Sequence, residues 1–140
     1  MGEGDIRLLR PKVQRLAEQL VERCDKEGLP IIITRTLRTT DAQDELYARG
    51  RTQSGTIVTN ARGGSSYHNY GVAFDVRPAT FTDEKNKLSQ LEKVGAIGTD
   101  IGLEWGGAWG EFPDAPHFQY TAGFSIEDFK NESIKTELFE

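Results

Sequence analysis

The chain has 140 residues, enough for one domain with a proper core and too few for two. Its composition, 36% hydrophobic and 28% charged, is that of a globular protein. A net charge of −5 argues against nucleic acid or an anionic membrane as the dominant partner, because either needs a surplus of Lys and Arg.

The single cysteine, Cys24, excludes an intrachain disulfide, so the fold does not depend on an oxidising compartment. Met1 to Arg10 carries four charged residues before any apolar run, and no apolar stretch is long enough to span a bilayer. The expectation is a soluble cytoplasmic product without a signal peptide or membrane insertion. A substrate outside the membrane would then be met only after the membrane is breached or by non-classical release.

Val13, Leu16, Ala17, Leu20, Val21 and Cys24 recur at helical spacing, with Gly28 and Pro30 as stop signals. Cys24 lies on that stripe and reads as a small core residue. Ile31-Ile32-Ile33-Thr34 predicts a buried strand. Thr40-Asp41-Ala42-Gln43 reads as a capping box opening a helix that ends near Gly50, with Ala42, Leu46 and Tyr47 on its apolar face. Residues 51–67 form a long loop with a short strand expected at Ile57-Val58-Thr59, and loops of that length in compact domains are usually functional.

Gly71 to Val76 predicts a strand carrying Asp75 inward. Residues 84–97 predict a helix buried through Leu88, Leu91 and Val94, and Trp105 to Trp109 reads as loop. His117-Phe118-Gln119-Tyr120 alternates as a strand does, which puts His117 and Gln119 on one face. Ser125 is an N-cap candidate for a last, weakly amphipathic segment. Helices and strands are interspersed without βαβ spacing, so the expected fold is a single α+β domain over residues 1–140 with a small antiparallel sheet flanked by helices.

The chain's two histidines lie in motif-like settings. His68 falls in Ser66-Tyr67-His68-Asn69-Tyr70-Gly71-Val72-Ala73-Phe74-Asp75, and His117 closes Asp114-Ala115-Pro116-His117. Isolated histidines are more often hydrogen-bonded structural residues. Here an acid stands beside each, and two imidazoles with one carboxylate suit a catalytic zinc site, which keeps a fourth position open. Asp114 also suits a plain turn beside Pro113 and Pro116. Arg38 sits at a strand-to-helix junction, where sites are commonly built. Gln43 fits both a site residue and the capping partner of Thr40. Tyr70, Trp105 and Trp109 fit either cleft walls or core.

Ser66-x-His68-x-x-Gly71-x-Ala73-x-Asp75 followed by Asp114-x-x-His117 resembles the LAS-type, VanY-like zinc peptidases of bacterial cell walls. Three further blocks carry the resemblance across roughly residues 30 to 120: Arg38-Thr39-x-x-x-Gln43-x-x-Leu46-Tyr47-x-x-Gly50-Arg51-Thr52, Ile57-Val58-Thr59-Asn60-Ala61 and Leu103-Glu104-Trp105-Gly106-Gly107. Among the branches it is most similar to L-alanyl-D-glutamate endopeptidases of phage endolysins and Bacillus cell-wall hydrolases.

The resemblance implies a hedgehog/DD-peptidase-like fold and one Zn²⁺ per chain held by His68, Asp75 and His117. Zinc lowers the pKa of a water ligand from 15.7 to about 7. Asp114 would be the general base, where the family often has Glu, with Glu111 a rival and Glu104 a weaker one. Arg38 would stabilise the charge developing on the scissile carbonyl. Ser66, Gln43, Tyr70 and Trp109 would contact substrate. The implied substrate is the peptidoglycan stem peptide, cut between L-Ala and D-Glu. The chain is expected to act as a monomer, and nothing in it resembles a separate wall-binding domain. The alternatives are a D-Ala-D-Ala carboxypeptidase or dipeptidase, or a non-catalytic zinc-stabilised wall-binding module.

Overall fold

The structure, a computed structural model, describes residues 4–59, 61–110 and 113–140. The helix α1 spans Pro11–Lys26, and its Pro11 stands in the first turn, where a missing N–H costs nothing. It buries Val13, Leu16, Ala17, Leu20 and Cys24, the stripe expected from spacing. The strand β1 (Ile31–Arg35) and helix α2 (Thr40–Ala48) follow. After the long loop come β2 (Ala73–Pro78), α3 (Glu84–Asp100), β3 (Glu104–Trp105), β4 (His117–Gln119) and the short α4 (Ile126–Lys130).

The four strands form one sheet in the order β1-β2-β4-β3, with every neighbouring pair antiparallel. Alternation along the strands gives the sheet two uses. Phe74, Val76 and Phe118 join the core with residues of α1 and α3, and the Phe74 and Phe118 rings stack at 5.8 Å. A Cβ added to Gly98 of α3 would lie 2.5 Å from the Phe118 ring, so that glycine lets helix and sheet meet closely. The intervening residues Asp75, His117 and Gln119 point to the opposite face.

The structure departs from expectation in five places. The strand β1 is an edge strand and not a buried one: Ile31 is buried, but Ile32 and Thr34 are exposed. Residues 57–59 are not a strand: no named strand pairs with them, and Ile57 and Val58 are exposed. The Trp105–Trp109 segment is not all loop: it opens on the two-residue β3 and a 3-10 turn over Gly106–Ala108, made by pairing with β4 that short-range pattern does not reveal. Leu88 is exposed, and the buried stripe of α3 begins at Leu91. The cap of α2 is Thr39, whose hydroxyl accepts from the Ala42 N–H at 3.1 Å, one residue before the Thr40 expected. Ser125 does cap α4, in a reciprocal box with Asp128. No helix among the described residues is long and apolar enough to cross a membrane.

Cys24 is fully buried, and burial pushes its thiol up to about 11. Thiolate is the reactive form, so a disulfide-exchange reagent at neutral pH should leave Cys24 unmodified until the protein is unfolded. Rapid labelling of the native protein would show that α1 separates readily from the core.

Candidate active site

Asp75 of β2 and His117 of β4 are directly opposed across the antiparallel pair, so both project from one face of the sheet. His68 comes from a 3-10 turn, Tyr67–Tyr70, just before β2. Ser66 and Asn69 build that turn as a capping box, and it ends at Gly71 in the left-handed region (φ 72°), where glycine carries no steric penalty. Asn69 also donates to the Arg38 carbonyl at 2.8 Å, while the Arg38 N–H donates to the His68 carbonyl at 2.9 Å. These bonds tie the turn to the loop between β1 and α2.

The result is a tight convergence. His68 Nε2 lies 3.2 Å and His117 Nδ1 3.3 Å from Asp75 Oδ1. One donor atom from each of the three residues lies within 4.8 Å of the others. His68 and His117 are buried and Asp75 is mostly so. The outer nitrogen of each ring is engaged: His68 Nδ1 lies 2.9 Å from the Thr36 carbonyl and His117 Nε2 2.7 Å from Gln119 Oε1. A carbonyl can only accept, so both outer nitrogens carry protons, and the inner nitrogens face Asp75, bonding it when the rings are protonated and offering lone pairs to a cation when they are neutral. Two imidazole nitrogens and a carboxylate oxygen aimed at one point form the donor set of a catalytic zinc site.

The electrostatics fit a cation. Burial raises the Asp75 carboxyl, but hydrogen bonds from His117 and His68 outweigh it and hold Asp75 well below the usual carboxylate range. For His117, burial opposes the charged form, yet bonding to Asp75 raises its pKa overall. Burial raises Asp114, and the nearby Asp75 charge adds to that. Asp114 Oδ2 stands 4.0 Å from His117 Nδ1 with its side chain half exposed.

These groups line a cleft of about 570 Å³, together with Arg38, Ser66 and Trp109. The Trp109 ring lies 5.2 Å from that of His117. Arg38 is buried, and its Nη1 donates to Gln43 Oε1 at 2.7 Å. Gln43 does not line the cleft: it is fully buried, and its amide nitrogen donates to the Ala61 carbonyl at 2.7 Å, so it braces Arg38. Nor does it cap α2. Tyr70 also lies outside the lining, with its hydroxyl bonded to the Gly64 carbonyl and its ring against Phe129. Trp105 packs toward the core and donates to the Ala115 carbonyl at 2.7 Å. Glu104 is outside the lining and accepts from Gln119 and Thr121, while Glu111 falls outside the described residues. Sequence reading passed over Thr36 and Gln119 as partners of the histidines. The signal for Gln119 was present, because alternation already placed it on the face of His117.

The comparisons with known proteins agree with this geometry. Residues 59–120 match a family model described as D-alanyl-D-alanine carboxypeptidase of the M15 peptidases. The chain is 39% identical over 121 residues to the peptidoglycan L-alanyl-D-glutamate endopeptidase CwlK of Bacillus subtilis, a match covering 79% of this chain and 72% of that protein. This chain belongs to the M15 peptidase family. Family membership makes it a metallopeptidase. It is also 26% identical to an L-alanyl-D-glutamate peptidase of Listeria phage A118, over 90% of this chain and 43% of the phage protein. Among solved structures, the L-Ala D-Glu endopeptidase ChiX of Serratia marcescens superposes with a TM-score of 0.58 at 26% identity, covering 89% of this chain and 86% of the other.

In this M15 peptidase, Gly106 holds the β3 segment against the Asp114–His117 segment. The Asp114 N–H donates to the Gly106 carbonyl at 2.9 Å, and a Cβ on Gly106 would fall 2.4 Å from the Asp114 carbonyl oxygen and 3.0 Å from His117 Cβ. Gly106→Ala should therefore cost about 1–3 kcal/mol of stability, the scale of overpacking, and should depress activity further by displacing His117. Denaturant unfolding and a peptidase assay on the same preparation check both. Unchanged values would mean that the two segments part without cost.

Proposed function

We propose that this chain is a zinc-dependent peptidoglycan endopeptidase that hydrolyses the L-Ala–D-Glu bond of bacterial stem peptides. The observation that carries the reading is the convergence of His68 Nε2, Asp75 Oδ1 and His117 Nδ1 on one point of the cleft. The choice of bond follows the relatives from Bacillus subtilis, Listeria phage A118 and Serratia marcescens, whose names carry that activity.

In this reading His68, Asp75 and His117 hold one zinc per chain. Bound zinc supplies Lewis acidity, which makes water nucleophilic near neutral pH and polarises a carbonyl. Asp114, half exposed at the edge of the cleft, takes the proton from the attacking water and delivers it to the departing amine nitrogen. Burial keeps its proton affinity above that of an ordinary aspartate, which suits the second half of that task. Arg38, held by Gln43, donates to the carbonyl oxygen as its negative charge grows. Because its guanidinium is braced before substrate arrives, little reorganisation accompanies the reaction. Ser66 and Trp109 contact the stem peptide. The chain works as a monomer on the cell wall.

Mass spectrometry of muropeptides digested by the purified protein tests the bond. New free amino termini should appear on D-Glu, with L-Ala left on muramic acid, and a chelator should abolish both. Release of D-Ala without a new D-Glu terminus would instead assign a carboxypeptidase.

The roles separate by mutation. Asp114→Ala should retain zinc and fold while losing about 10²-fold or more in kcat. Arg38→Ala should lower kcat more than it raises KM, with Arg38→Lys recovering only part, since an ammonium lacks the planar fork. An active Asp114→Ala, or an Arg38→Ala effect confined to KM, would remove the corresponding role.

A further inference from the structure

His117 can offer Nδ1 to a metal only while its proton sits on Nε2. The group facing Nε2 is the Gln119 side chain, and an amide has two unlike ends. With Oε1 toward the ring, as here at 2.7 Å, Nε2 carries a proton, and Nδ1, 3.3 Å from Asp75 Oδ1, is the nitrogen left to a metal. With the amide reversed, its NH₂ would face Nε2, the proton would move to Nδ1, and the ligand atom would be blocked.

What decides between the two orientations is Glu104. It stands directly opposite Gln119 across the β3–β4 pair. Its Oε1 accepts from Gln119 Nε2 at 3.1 Å, and its Oε2 accepts from the Thr121 hydroxyl at 2.7 Å and the Thr121 N–H at 3.4 Å. A carboxylate offers no donor, so it accepts only the NH₂ end of Gln119. Gln119 is itself buried, which leaves its amide little water to turn toward. Glu104 is exposed at the sheet edge and does not line the cleft, so no contact with substrate explains it.

We propose that Glu104 is a positioning residue for the metal centre: through Gln119 it fixes His117 in the tautomer that leaves Nδ1 free to bind metal. The inference rests on the zinc reading and adds a carboxylate two bonds removed from the ion. Outer partners of metal-bound histidines are worth about 10- to 100-fold in affinity. Glu104 acts one step further out and competes with water, so its effect belongs near the lower figure.

The test measures zinc affinity of the full chain by chelator competition, alongside nitrogen-15 NMR of the metal-free protein to read the His117 tautomer. Glu104→Ala should weaken zinc about tenfold and move His117 toward the Nδ1–H form, and Glu104→Gln, which offers a donor as well as an acceptor and so selects the Gln119 orientation less strictly, should restore both only in part. Gln119→Glu presents an acceptor whichever way it turns. In that background Glu104→Ala should bring no further loss. Equal losses in both backgrounds, or an unchanged tautomer in Glu104→Ala, would reduce Glu104 to a structural residue. Failure of the unsubstituted chain to bind zinc would instead overturn the metal reading, with the tautomer shift still deciding the relay.

Discussion

The structure depends on a carboxylate buried between two imidazoles. Burial disfavours the Asp75 charge, and only the positive side of its surroundings keeps it ionised. A cation must therefore stand beside it, either as protons on the rings or as a metal between them. Breaking such an arrangement by removing one member is expected to cost about 3–5 kcal/mol, because the remaining charge is left buried without compensation. The same placement points one donor atom of each of the three side chains at a common centre.

That placement is a consequence of strand register. Asp75 faces His117 because Phe74 faces Phe118, one residue away on the other side of the same two strands. The hydrophobic contact of the Phe pair with α3 thus fixes the polar pair on the opposite face. A slip of one residue would send the phenylalanines into the cleft and Asp75 and His117 into the core, so core packing protects the site. His68 is located differently, by a capped turn tied through Asn69 and the Arg38 backbone to the loop before α2. One set of bonds thereby places both His68 and Arg38 at the cleft.

Much of this was legible in the residues. The stripe of α1 and the alternation around Asp75 and His117 are local patterns set by helical and strand periods, and they specify their own burial. The resemblance singled out His68, Asp75 and His117 from spaced motifs, and the fold brings the three together. What was not legible depends on distant partners. The strand β3 is two residues long and exists through pairing with β4. Ile57 and Val58 have strand-like side chains but join no strand of the sheet and stay on the surface. Gln43 and Tyr70 occur within family blocks, and a motif does not say whether a side chain faces substrate or stands behind the residue that does. Here Gln43 stands behind Arg38.

His68, Asp75 and His117 are proposed to bind one ion through the atoms that converge here. An anomalous difference map from zinc-loaded crystals, recorded on both sides of the zinc absorption edge, tests it most directly. One peak per chain is expected at about 2.0–2.2 Å from His68 Nε2, Asp75 Oδ1 and His117 Nδ1, the usual zinc distances to nitrogen and carboxylate oxygen. A peak elsewhere, or coordination through His117 Nε2 with its Gln119 bond broken, would contradict it.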